Sequence, residues 1–506
     1  KYLFLVFAVL ALLPFVSAAT NVTTCGTTIS SPGQYELNQS LNGTTTCLTV
    51  TSNDVEIDCK GNAISYGSNG ANGAVGINAI LGVIPKNNLT VKNCVIQDIN
   101  ASGTTGYGIM LTRFSDSYLF NNSIQTNGTA TNHGIFLTTS SNDNLIENNT
   151  IKALGTTTGN WGIHLISASD NNIIRGNTVT ATGTTTSYAI YIVTGSDNNL
   201  VQNNSFSTFS TTATGNTDGN TLYISGSINN SIINNYIYSR SAARNYLVYL
   251  ANLANNNSII NNTLVNNATE GTNYGVYAIY SSSNVIQGNT IQVNGTTAVY
   301  GVYISSTADN NLINNTIFPI GTSTIGVYAL SSEKSQIENN SIIGGGKGAT
   351  NYGIYLASSS SINITGNTIN VTGTTPDYGI YLLSSYSNNI ENNILDNYGT
   401  TALNGVIFSS SYSNTLKGNR ISVPGTGATN YGIYLLSSYS NNIDSNDINV
   451  SGTTPLYGIY LLYSQENRVN KNNITSYGTT ANSPMVLGIS ANYNTISNNT
   501  LMSRGT

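Results

Sequence analysis

Residues 311–317 read Asn-Leu-Ile-Asn-Asn-Thr-Ile, and residues 145–151 read Leu-Ile-Glu-Asn-Asn-Thr-Ile. The second asparagine of that pair, Asn315 or Asn149, serves as a marker. It returns at Asn122, Asn177, Asn204, Asn235, Asn262, Asn289, Asn340, Asn367, Asn393, Asn419, Asn446, Asn472 and Asn499, at intervals of 25 to 31 residues. Self-similarity at such a period is the mark of a solenoid. Three residues before each marker stands an aliphatic residue (Leu119, Ile146, Ile174, Val201, Ile232, Ile259), and two after it stands another apolar one (Ile124, Ile151, Val179, Phe206, Ile237, Leu264). The marker therefore reads as a corner between two short buried strands. Asparagine tolerates the left-handed backbone that a sharp corner needs. In coils stacked about 4.8 Å apart its amide can also hydrogen-bond up the column as a ladder.

Working outward, each coil has three parts. A strand opens with aromatic-Gly-apolar, as at Tyr107-Gly108-Ile109, His133-Gly134-Ile135, Trp161-Gly162-Ile163, Tyr274-Gly275-Val276, Tyr352-Gly353-Ile354 and Tyr431-Gly432-Ile433. A Ser/Asn turn leads to the strand that ends at the marker. A third strand runs into a Gly-Thr-Thr loop, seen at 183–185, 295–297, 373–375 and 452–454. Strands this short, with no helical periodicity between them, exclude βαβ and leucine-rich repeats and leave parallel β-coils. About 15–17 coils of about 26–27 residues are expected. A solenoid also explains how 506 residues of uniform composition avoid dividing into globular domains, since each coil buries its face against its neighbours.

The repeating phrase resembles the right-handed parallel β-helix proteins of the pectate-lyase-like superfamily, and within them the NosD/CASH-type repeats that read N-x-I-x-x-N…G-I-x-L. The likeness runs from about residue 54 to the end and implies an all-β, right-handed parallel β-helix solenoid with an Asn ladder. For function it implies a range from lyases, hydrolases and epimerases to adhesins and surface proteins.

Lys1-Tyr2, the apolar run Leu3 to Val16 and the small residues Val16-Ser17-Ala18 form a secretory signal with cleavage expected near Ala18. The organisation expected is thus a signal peptide at 1–18, an N-terminal cap at 19–53 and a parallel β-helix at 54–506. No later stretch is apolar enough to span a bilayer, so no transmembrane segment is expected after cleavage. The four cysteines, Cys25, Cys47, Cys59 and Cys94, all fall near the start of this exported chain. They permit three pairings. Cys25 with Cys47 and Cys59 with Cys94 is favoured, because Cys59 and Cys94 fall in successive coils.

Only 7% of residues are charged and the net charge is −5, which supplies no basic stripe for nucleic acid. No cofactor, metal or catalytic residue is expected. Asn216-Thr217-Asp218-Gly219 looks like the first acidic motif of polygalacturonases. That chemistry needs further carboxylates, and the next coil, Asn245 to Tyr249, has none. Asp170 and Asp197 occupy equivalent places in adjacent coils, with Asp143 one position off and Asp309 further along, and read as Asx turns rather than a cation site. His133 and His164 stand where tyrosine usually does and read as ladder members.

The 33 tyrosines carry the functional expectation. Two residues beyond the strand glycine an alternating strand points outward, giving a column of Tyr277, Tyr303, Tyr328, Tyr355, Tyr381, Tyr434 and Tyr460. Such a row offers amphipathic contact area for sugar rings or for another copy of the chain. Tyr386, Tyr412 and Tyr439 add a second column. Sequons in the loops, Asn127 and Asn294, are the expected sites of N-linked glycans. The reading is a secreted or cell-surface structural and adhesive protein that binds glycans or assembles into filaments or arrays. The alternative is a polysaccharide lyase, hydrolase or epimerase, with Asp218 or Asp197 in the site.

Overall fold

Asn351–Ala357, Asn363–Thr365 and Thr368–Gly373 form one coil, with a strand in each of three sheets. Each strand pairs in parallel with its counterpart one coil on, Tyr352 with Tyr378, Ile364 with Ile390 and Ile369 with Leu395. This register repeats along the computed structural model, so the second sheet alone holds 19 strands. The structure describes residues 18–505 apart from 81–85, 100–102, 158, 185, 211–218, 243, 269, 347, 349, 375, 401, 428, 454 and 480. No helix separates the strands among the described residues. Of the segment 1–18 expected as a signal peptide, residues 1–17 lie outside them.

The segment expected as a cap is itself built of coil strands. Thr20–Asn21 pairs with Tyr35–Glu36, which pairs with Ile57–Asp58, and Thr27–Ile29 lies on Leu48–Val50. Disulfides join Cys25 to Cys47 and Cys59 to Cys94, the favoured pairing. Disulfides of this kind persist in oxidising compartments, which makes the protein extracytoplasmic.

The interior is a set of aliphatic columns. Ile354, Leu356, Ile364, Ile369 and Val371 of one coil are fully buried, each worth roughly 1.5–3 kcal/mol of transfer energy. The strand glycine has a steric cause. A Cβ on Gly353 would lie 2.6 Å from the carbonyl oxygen of Gly379 and 2.3 Å from Ile369 Cγ2. Pairing passes over this glycine, so Gly353 and Ile354 both turn inward while Tyr352 and Tyr355 both turn outward.

The corner divides its work between two residues. The marker asparagine was expected to be left-handed, but the left-handed residue is the one before it: Asn148 (φ 54°) before Asn149, and Gly366 (φ 65°) before Asn367. The marker is buried and builds the ladder. Asn367 donates from Nδ2 to Asn393 Oδ1 at 2.9 Å and to the carbonyl of Ile337 at 2.7 Å, and its backbone N–H reaches the same Asn393 oxygen at 2.9 Å. A second amide ladder, Asn388 to Asn414 to Asn441 to Asn467, repeats at 3.0 Å. Beside it Ser385, Ser411 and Ser438 donate their backbone N–H to the next serine Oγ at 3.0–3.1 Å.

Candidate functional site

The first sheet brings together all seven column tyrosines, in register from Tyr277 through Tyr303, Tyr328, Tyr355 and Tyr381 to Tyr434 and Tyr460, with Ile407 interrupting one coil. Because the glycine resets the alternation, a second row joins them, and the two rows interlock as a zigzag belt. Tyr274 stacks on Tyr300 at 4.9 Å and 9°, Tyr277 lies 4.9 Å from Tyr274, and Tyr352 lies 4.8 Å from Tyr355. Each predicted contact tyrosine is half-buried. Burial raises the hydroxyls of Tyr303, to about 12, and of Tyr328, Tyr355 and Tyr434, so these stay protonated donors at neutral pH.

Tyr386, Tyr412 and Tyr439 stand in the turn between the first and second sheets. Their backbones bridge from coil to coil. Their rings stack at 5.0 Å with interplanar angles of 3° and 4°. Tyr412 has both faces covered, whereas Tyr386 and Tyr439, 39% and 47% exposed, close the stack at its two ends. Beyond Tyr439 the coil changes. Ser440 donates its N–H to the carbonyl of Gln465, so Gln465 stands where a fourth ring would be. Tyr439, Tyr463, Gln465 and Glu466 line a dent of about 360 Å³ there.

The aspartates and histidines take structural places. Asp170 Oδ1 accepts the Asp197 N–H at 2.8 Å, and Asp197 Oδ1 accepts the Ile228 N–H at 2.7 Å, so each carboxylate ties one coil to the next. His133 and His164 stack inside the belt with their Nδ1 atoms 3.2 Å apart. Burial drives both imidazoles toward the neutral form, His164 to about 3. Asn127 donates to the carbonyl of Asp98 at 3.0 Å and Asn294 to Asn267 Oδ1 at 2.6 Å. Asp218 lies outside the described residues.

The third sheet carries two more hollows. Phe318, Ile320 and Ile343 wall a groove of about 460 Å³ floored by Gly344 to Gly346. Asp396, Arg420 and Asp447 edge a smaller polar one, with Arg420 paired to Asp396 at 3.4 Å. Sequence reasoning passed over Tyr463, Gln465 and Glu466. The signal was available. Ser-Ser-Tyr-Ser-Asn repeats at 384–388, 410–414 and 437–441, then gives way to Tyr-Ser-Gln-Glu-Asn at 463–467.

Comparison with known proteins agrees with this architecture. The family model described as periplasmic copper-binding protein (NosD) matches residues 209–400 and 348–504, and that described as right handed beta helix region matches 20–206. No curated protein matches the chain. Among solved structures, the periplasmic alginate epimerase AlgG is similar at 12% identity and a TM-score of 0.32, over 82% of this chain and 77% of that one. The A-module of the Azotobacter vinelandii mannuronan C-5 epimerase AlgE4 is similar at 13% identity and a TM-score of 0.30, over 88% and 91%. Neither likeness bears on substrate or activity.

Proposed function

The chain belongs to the periplasmic copper-binding protein (NosD) family, and we propose that it is a secreted or cell-surface β-helix that holds glycan chains, without turning them over, on its tyrosine-bearing side. Copper itself does not enter this reading. Copper seeks thiolate, thioether or imidazole ligands. The segment that matches the family, 209–504, contains no histidine and no cysteine, and its two thioethers, Met485 and Met502, lie on strands of different sheets. All four cysteines are oxidised, and His133 and His164 lie buried against each other. Among the described residues no group of three or more His, Cys, Asp or Glu side chains is placed to hold a metal. The residues do not fit the metal.

The observation that carries the proposal is the outward ladder of Tyr386, Tyr412 and Tyr439 on a surface with few charges. Coils repeat at about 4.8 Å, close to the rise of one sugar unit in an extended glycan. A chain lying along the axis therefore meets a ring edge and a phenol donor at each step. Aromatic rings supply flat apolar area together with a hydroxyl, which suits the two-natured surface of a pyranose.

Screening the purified chain against an array of neutral, uronate and amino-sugar glycans tests this. Retention of at least one extended glycan, without release of new chain ends, is expected. Retention of none, or turnover of a retained polysaccharide, overturns the proposal. Concentration-dependent assembly with no glycan retained assigns the same rings to contact between copies of the chain instead.

A further inference from the structure

We propose that the dent at the end of the outer ladder is a subsite for a single pyranose ring, formed by Tyr439, Tyr463, Gln465 and Glu466. The inference rests on the glycan-binding reading and locates where its sugar is held face-on.

Three successive turns have one sequence and one geometry. Ser384, Ser410 and Ser437 hold left-handed positions, as do Ser387, Ser413 and Ser440. Between them Tyr386, Tyr412 and Tyr439 extend the ladder, and Ser385, Ser411 and Ser438 stay buried beneath. The fourth turn keeps its buried members, Ser464 and Asn467, and changes all the outward ones together. Tyr463 takes the left-handed place of Ser437, at φ 53°. Gln465 takes the place of Tyr439, and Glu466 takes the place of Ser440.

The physical effect is to stop the ladder and turn its last ring into a wall. Inside the ladder each face of Tyr412 is covered by a neighbour 5.0 Å away. Past Tyr439 the stacked ring is replaced by an amide, and the displaced aromatic, Tyr463, 48% exposed, stands to one side. A bulky residue in the left-handed region is strained, and such strain collects where a side chain must be aimed. The hollow of about 360 Å³ lies within the size range of small-molecule sites.

The chemistry fits a sugar ring. The C–H groups on one face of a pyranose carry slight positive charge and pack against the negative face of an aromatic ring. Its equatorial hydroxyls point sideways, where Gln465 both donates and accepts and Glu466 accepts. Ser440 Oγ already donates to Glu466 Oε2 at 3.4 Å, which orients the carboxylate. A carboxylate at the rim disfavours a uronate and selects neutral or amino sugars.

Titration calorimetry with cellohexaose, chitohexaose, mannohexaose and a mannuronate hexamer tests the subsite in the full chain. Gln465→Tyr prolongs the ladder as in the three preceding coils, and Tyr463→Ser restores their residue, so both keep the fold, with melting temperature as the check. A neutral or amino-sugar hexamer is expected to bind the wild type, and each variant is expected to weaken it at least tenfold. If a hexamer binds both variants as it binds the wild type, the subsite is overturned while glycan binding stands. If no hexamer binds the wild type, the subsite falls, while the function reading falls only if the glycan array also retains nothing. A preference for the mannuronate hexamer, or occupation by tetramethylammonium and by no sugar, also overturns it.

Discussion

Asn351 donates from Nδ2 to Asp377 Oδ1 across 2.7 Å, at a fully buried corner where neighbouring coils carry neutral side chains. Burial pushes the Asp377 carboxyl up to about 6, against the opposing pull of the Asn351 hydrogen bond. A folded-state pKa above the unfolded one means stability that is complete below about pH 4 and lost as pH rises through about 6. The melting temperature is therefore expected to fall between pH 4 and 7. Asp377→Asn, which keeps the bond to Asn351, removes that slope and raises stability at pH 8 by up to roughly 3 kcal/mol. A variant no more stable than wild type at pH 8 contradicts the assignment.

The amide ladder makes a positional prediction. Asn315 donates to the carbonyl of Ile286 at 2.7 Å and to Asn340 Oδ1 at 3.0 Å, and accepts the backbone N–H and Nδ2 of Asn289 at 3.0 Å. Asn315→Ala orphans these buried partners at about 1–3 kcal/mol each. Asn499→Ala, in a half-buried place at the last corner, is expected to cost much less. Hydrogen exchange should show loss of protection spreading a coil or two to either side of residue 315 and no further, because solenoid coils couple chiefly to their neighbours. Uniform loss along the rod contradicts a nearest-neighbour stack.

The winding was legible in the sequence because a ladder needs the same residue at the same place in every coil, and Asn149, Asn177 and Asn204 meet that need. Periodicity could not say which residue of an Asn-Asn pair turns the chain, since both positions are asparagine in many coils; Gly176, Gly288 and Gly366 at the left-handed place supply that clue. The doubled belt was hidden for another reason. Strict alternation puts Tyr352 and Tyr355 on opposite faces, and only the close packing at Gly353 brings them to one side. The pyranose subsite is a break in a repeat, and an eye drawn to what recurs passes over Gln465.

The two disulfides are expected to stabilise one end alone. Cys59 and Cys94 are 35 residues apart, and closing such a loop constrains the unfolded chain by about 4 kcal/mol. Replacing both with alanine should raise hydrogen exchange in the first coils and leave residues beyond about Asn149 unchanged. Faster exchange near Asn446 contradicts this.

The central claim is that the outward tyrosines hold glycan. The most direct measurement is the affinity of the full chain, with Tyr386, Tyr412 and Tyr439 all changed to serine, for a glycan the wild type retains. Ser360 occupies the same column one coil earlier, so the fold accepts the change. With about 0.5–1.5 kcal/mol per ring, binding is expected to be at least tenfold weaker at an unchanged melting temperature. Undiminished affinity in the folded triple variant would contradict it.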